Sequence, residues 1–444
     1  MKPSYISSFE TATGGSRALF EKAQKVIPGG ISHFPRWHEP YPLYCSRARG
    51  SRMWDADGRE YIDLWMAHYD AILGHSPEPV VNALREILSD GLHVGIPMEY
   101  EAVLAAMITE LMPCAEMVRF CCSGTEADMY AVRLARGFTG RNIILKIEGG
   151  FHGAGTDLSV NVFVPHFRGK EGIGLIPSLE QYTRSVIFND IDDTYQAIQE
   201  AEEDLAAVII EPALGAFMLP AEAEYLAFLR EETKKRQALL IFDEIITGFR
   251  IGLGSAQEYF GITPDLTTMG KVMGGGMPIG AIGGRADILE ISSVQRNVPQ
   301  WEKIFIGGGT YSANPLSMVA GITTLNILKE RKDDIYPVID ARNKRLCEGI
   351  QNAFDAVGIP IHLTRFGSLM AVHFLKEKGL PIKNAGDIIK HTLTAEKEEF
   401  AARMRNHGIY FLRSSALSTE HSDADIDAIV AAAEECAREM AEDR

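Results

Sequence analysis

"ALLIFDEIITGFRIGLGSAQEYFGITPDLTTMGKVMGGGMPIGAIGG", residues 238–284, contains three short apolar runs and two charges in unusual places. ALLIFDE is a buried-strand pattern that ends on acids, and LTTMGK is a second run that ends on a lysine. GAIGG reads as a third strand. Short apolar runs bounded by turn signals fit strands of a parallel sheet covered on both faces. The same pattern extends toward the N-terminus. MVRF (117–120), NIILKI (142–147) and LAAVIIEP (205–212) read as strands, the last stopped by Pro212. Between them EADMYAVRLARGF (126–138) has helical spacing, with Ala127, Val132, Leu134 and Ala135 as apolar positions, and AEYLAFLREETKKRQ (223–237) is an amphipathic helix. Buried strands separated by helices predict an α/β domain built on a mainly parallel sheet.

The alternation fades after about residue 335. IPIHLTRFGSLMAVHF (359–374) reads as two strands, and DIDAIVAAAEECAREMAE (425–442) as a closing helix with Ser422 and Asp423 as cap residues. Near the front, SRMWDADGREYIDL (51–64) reads as a hairpin turning at Asp57-Gly58. The expected organisation is a large domain at 76–335 and a smaller α+β domain, assembled from an N-terminal segment (1–75) and a C-terminal one (336–444).

Composition narrows the function classes. The 444 residues are 46% hydrophobic and 23% charged, ordinary for a globular protein and long enough for two lobes. A net charge of −16 opposes a broad nucleic-acid or anionic-membrane surface. No leader pattern and no uncharged run long enough to span a bilayer is present. The six cysteines form no CxxC pair, so neither a zinc ribbon nor a disulfide framework is expected, and no metal site is assigned. A cytoplasmic location is the plain expectation, and the adjacent Cys121 and Cys122 read as apolar fillers.

Three stretches carry chemistry, each at the end of an expected strand, where open α/β sheets bind ligands. SGTEA (123–127) follows a strand and opens a helix; its N–H groups and hydroxyls suit a phosphate, although Ser123 or Thr125 could equally serve as a helix cap. Asp243 places a carboxylate at the end of an apolar strand, where it needs a partner: a cap, an ion pair or a ligand cation. Lys271, 28 residues further on, stands between an apolar run and Gly274-Gly275-Gly276. It is either a surface lysine or a desolvated amine that attacks carbonyls. A phosphate cradle, a carboxylate and an amine at one sheet edge suit pyridoxal 5′-phosphate, which has a phosphate to anchor, a ring nitrogen to keep protonated and an aldehyde to hold. In GGFHG (149–153), Phe151 could stack on its ring, with His152 beside it.

The chain resembles the class III aminotransferases of the type I fold of pyridoxal-phosphate enzymes, in the branch that contains glutamate-1-semialdehyde aminomutase. The stretches that carry the resemblance are IPGGISHFPR, WDADGREYIDL, ILGHSP, SGTEADMYAVRLAR, FHG, IIEP, the run from Phe242 to Arg285, and GGGTYSANP, together covering about residues 25 to 325. The resemblance implies a large domain with a mainly parallel seven-stranded sheet. It implies that Lys271 holds the cofactor as a Schiff base and that Asp243 faces the ring nitrogen. It assigns the phosphate to Ser123, Gly124 and Thr125, and places Phe151, His152 and Glu211 around the cofactor. Thr310 would reach the phosphate of a neighbouring subunit in a homodimer with shared sites.

Substrate choice is expected from Arg36, His68 and Arg413. Arg36 lies where this branch keeps an arginine that grips a substrate carboxylate. Arg413 stands where the aminomutases keep a glutamate, Ala216 where they keep an asparagine, and His68 where an aromatic is usual. An arginine suits a second anionic group. The first functional reading is therefore an aminotransferase that moves an amino group from an amino acid, such as a β-amino acid or one with a second anionic group, to a keto acid or aldehyde. An isomerase on the same cofactor (aminomutase, epimerase or racemase) stands second, and a non-catalytic relative third.

Overall fold

The computed structural model describes residues 3–162 and 172–444. The chain divides into two compact units. One comprises Glu78–Tyr336 with Ile382–Lys390, and the other comprises Met1–Pro77, Pro337–Pro381 and His391–Arg444.

The first unit is built on a seven-stranded sheet. From one edge its strands are Met117–Cys121, Gly280–Gly284, Leu266–Met269, Leu239–Glu244, Leu205–Ile210, Ile143–Ile147 and Thr183–Val186. Gly280–Gly284 runs antiparallel to both its neighbours, and the other contacts are parallel. The central strands Leu205–Ile210 and Leu239–Glu244 are buried at every position, which explains their continuous apolar runs. Helix Gly124–Thr139 covers one face, pressing Ala127, Ala131, Val132, Leu134 and Ala135 against Ile144, Ala207, Ile209, Ile241 and Ile282. Each fully buried valine or leucine in that contact contributes about 1.5–3 kcal/mol. Gly140, in the left-handed region, ends the helix.

The second unit holds two small sheets. Cys45–Arg49, Arg52–Asp55 and Glu60–Asp63 form an antiparallel meander, with Ile409–Tyr410 added in parallel. The turn at Asp57-Gly58 forms as expected: Asp55 Oδ1 accepts from the N–H groups of Asp57 and Arg59, both at 2.9 Å. Ile361–Phe366, Leu369–Phe374 and Ser414–Ala416 make an antiparallel sheet. Helix Asp423–Glu442 starts with a capping box between Ser422 and Asp425. Asp425 also pairs with Arg52 at 2.5 Å, which ties the first hairpin to the last helix.

Candidate active site

Six parallel strands point the same way, so the residues after them gather at one edge. Ser123 follows Met117–Cys121, Phe151 and His152 follow Ile143–Ile147, and Glu211 follows Leu205–Ile210. Asp243 is the penultimate residue of its strand, and Lys271 lies two residues beyond Met269.

Asp243 is almost fully buried, at 4% exposure. Its Oδ2 lies 2.7 Å from His152 Nδ1, and its Oδ1 accepts from the N–H of Ile245 at 3.0 Å. Burial holds the His152 imidazole below its usual pKa, against the pull of Asp243, so the ring is neutral and donates its Nδ1–H. Its Nε2 is buried without a hydrogen-bond partner, as a lone-pair nitrogen tolerates better than an N–H. The ring therefore fixes Asp243 from behind.

Glu211 accepts from the N–H of Phe151 at 2.8 Å and of Gly215 at 3.0 Å, which ties two loops of the edge together. Burial, then the charge of Asp243, pushes its carboxyl up to about 8, with Lys271 pulling the other way. Lys271 is half-buried and has φ 42°, with Gly270 between it and the end of its strand. Phe151 is 45% exposed.

Ser123 is extended and caps the helix, its Oγ accepting from the N–H of Glu126. The N–H groups of Gly124 and Thr125 sit in the first turn, where no intrahelical acceptor exists. The loops here are close-packed. A Cβ on Gly124 would lie 2.9 Å from Ile245 Cδ1, and one on Gly153 would lie 2.2 Å from Thr125 Oγ1. The helix cap forms, and it does not preclude the cradle: the serine hydroxyl serves the N–H of Glu126, not those of Gly124 and Thr125. A phosphate donor set, a buried anchored carboxylate and a half-buried amine on one sheet edge match the three polar ends of pyridoxal phosphate.

Among the glycines after Lys271, Gly275 makes room for a helix. A Cβ on Gly275, at φ +57°, would lie 2.7 Å from the carbonyl oxygen of Ala320 and 2.4 Å from Thr324 Oγ1. Both residues belong to helix Pro315–Glu330. A Cβ on Gly274 would meet Ile279 at 2.7 Å. Thr310 is exposed in the single chain.

The three residues expected to choose the substrate, Arg36, His68 and Arg413, lie in the other unit. His68 stacks on Trp65 at 4.5 Å and contacts His33 at 3.2 Å. It sits in a turn where Met66, Ala67, His68 and Tyr69 all have positive φ. Tyr69 at the end of that turn bonds Ser414, the neighbour of Arg413, at 2.5 Å. Arg413 is exposed and paired with Glu398 at 3.2 Å, so an incoming anion would compete with a carboxylate already in place. Arg36 is exposed in a short turn, and Ala216 is exposed in the first unit.

Two residues of this edge carried a signal that the sequence reading passed over. Asp128 lies on the apolar stripe of its helix, in line with Ala131, Val132 and Ala135, and is 1% exposed. Lys146, inside NIILKI, is fully buried and donates to the carbonyl oxygens of Gly150 and Val160 at 2.8 and 2.7 Å. A charged residue inside an apolar pattern calls for a partner.

Comparison with known proteins follows the same lines. The family model described as aminotransferase class-III matches residues 33–419. A glutamate-1-semialdehyde 2,1-aminomutase from Persephonella marina is 39% identical over 437 residues, 95% of this chain and 98% of that protein. An omega-transaminase from Sphaerobacter thermophilus superposes with a TM-score of 0.87 at 33% identity, covering 95% of this chain and 98% of the other. A structure described as a transaminase with PLP bound has a TM-score of 0.88 at 29% identity, over 97% and 99%.

Proposed function

The chain belongs to the class III aminotransferases, enzymes dependent on pyridoxal phosphate, and from that premise we propose that it moves an amino group by way of Lys271. The observation that carries the reading is the gathering of Lys271, Asp243, Glu211 and Ser123–Thr125 at the ends of parallel strands in one sheet.

When bound, the cofactor supplies a carbonyl that takes up amino groups and a ring that accepts electrons. The protein's share is positional and protic. The first turn of helix Gly124–Thr139, with Ser123, Gly124 and Thr125, binds the phosphate. Asp243, anchored by His152, would face the ring nitrogen and favour its protonated form. Phe151 covers the ring, and Glu211 ties its loop to the next strand end. Lys271 would hold the cofactor, and its amine, once free, would be the base that moves a proton at the substrate carbon.

The relatives support an isomerase ahead of the intermolecular transfer that the sequence put first. Curated proteins similar to this chain at 38–39% identity are named glutamate-1-semialdehyde 2,1-aminomutases, and the match runs almost end to end. A transaminase stands as the second reading on one observation. The resemblance puts Arg413 where those enzymes would keep a glutamate, and an omega-transaminase is among the similar structures. On that reading the amino donor carries a carboxylate for Arg36 and a second anionic or polar end for Arg413, or its amine in the β position. A dependence on acceptor separates the two. Holoenzyme given glutamate-1-semialdehyde and no keto acid should turn it over under the first reading. Turnover of an amino acid only when a keto acid or aldehyde is supplied supports the second, and failure of both, with cofactor bound, would sink the pair.

A further inference from the structure

Two buried carboxyl groups meet behind the ring site. Asp128, on helix Gly124–Thr139, and Asp243, on the central strand, have oxygen atoms that lie within 4.8 Å of each other and of His152 Nδ1. Asp128 Oδ1 accepts from Thr268 Oγ1 at 2.7 Å. Thr268 faces Asp243 across the parallel register, which brings all three groups to one layer. Two buried carboxyl groups this near each other disfavour double ionisation, so one of them holds a proton more readily than the other.

The surroundings decide which. Asp243 receives two N–H donors, from His152 and Ile245, and is the better anion. Asp128 receives the single hydroxyl of Thr268. Burial, then the charge of Asp243, pushes the Asp128 carboxyl well above the ordinary aspartate range. The other charges around the pair are Glu211, whose negative end also disfavours a second anion, and Lys271 and Lys146, which act on Glu211 and His152.

We propose that Asp128 is a positioning residue of this site: as a neutral acid it donates its O–H to Asp243, so that the carboxylate facing the ring nitrogen is held by His152 and by Asp128. This rests on the pyridoxal-phosphate reading given above. A neutral donor steadies the carboxylate without adding charge beside it, which an ionised aspartate could not do and an apolar residue would not do.

Asn and Val separate these roles. Asp128→Asn keeps a donor for Asp243 and an acceptor for Thr268; Asp128→Val is apolar and loses both. Cofactor retention in holoenzyme, read from its visible absorbance on dilution, should stay within about threefold of wild type for Asp128→Asn and weaken by about tenfold or more for Asp128→Val. Thermal unfolding of the same holoenzymes gives a second readout with a definite sign. The unfolded aspartate loses its proton near pH ~4, while the folded one keeps it. Wild type should therefore lose stability relative to Asp128→Asn as pH rises above that range. Equal cofactor loss in Asn and Val variants overturns the inference, and so does a wild type that gains on Asp128→Asn with rising pH. If the Val variant does not fold, that pH slope alone decides. Wild type that takes up no pyridoxal phosphate overturns the underlying reading as well, so the two failures are distinct.

Discussion

Lys146 is a lysine sealed from water in a strand with every position buried. Its ammonium holds the carbonyl oxygens of Gly150 and Val160, and thereby the loop that carries Phe151 and His152. Lys146→Met should leave both carbonyls without that donor and cost about 2–4 kcal/mol in denaturant unfolding, with faster loss of bound cofactor. An unchanged unfolding midpoint would contradict the assigned role. At this scale the sequence displayed the anomaly and hid the answer. NIILKI contains a charge where a two-sided buried strand has no room for one, as the stripe at Asp128 does on its helix. The partners lie in loops and strands distant along the chain, and only the fold supplies them. Asp243 and Lys271 were legible because each stands at the end of an apolar run, where a parallel sheet gathers its ligands.

The strand Gly280–Gly284 shows what an element adds. Gly280 pairs with Cys121, and a Cβ there would lie 2.1 Å from the carbonyl oxygen of Ser123, the residue that opens the phosphate cradle. Gly280→Ala should push that turn outward, costing about 2–4 kcal/mol in stability and weakening cofactor binding as well. Wild-type cofactor affinity in the variant would show that the backbone contact is unimportant. The antiparallel direction of this strand was in the sequence: ten residues, 270–279, separate it from its neighbour, too few for a parallel crossover. Two other elements were not legible. Thr183–Val186 is an edge strand with Arg184 and Ser185 only half-buried, so it lacks the apolar run of the central strands. The turn Met66–Tyr69 runs through the left-handed region without a glycine to announce it. Its first residues are held by Asp63, which accepts from the N–H groups of Trp65 and Met66 and from His75.

For the whole molecule, the open question is assembly. Leu92, Ile96, Trp301, Phe305 and Tyr311 are large apolar or aromatic side chains more than half exposed, and His93 against Tyr311, at 5.0 Å between rings, brings the two stretches together. A monomer seldom leaves such a patch uncovered. We propose a homodimer in which Thr310, beside that patch, reaches the partner's phosphate, so that cofactor and dimer stabilise each other. Light scattering should give twice the 48.9 kDa chain mass for holoenzyme, with dissociation at higher concentration once cofactor is removed. A fully active monomer would contradict this. The two-unit division shows why assembly and specificity were harder to read than chemistry. The Phe242–Arg285 run builds one sheet edge from one continuous stretch, whereas Arg36, His68 and Arg413 come from separate parts of the other unit. The claim on which all of this depends is that Lys271 is the residue that holds the cofactor. Borohydride reduction of holoenzyme, followed by digestion and peptide mass mapping, tests it most directly. The account predicts a single pyridoxyl label on Lys271, and a label on any other lysine, or none despite bound cofactor, would contradict it.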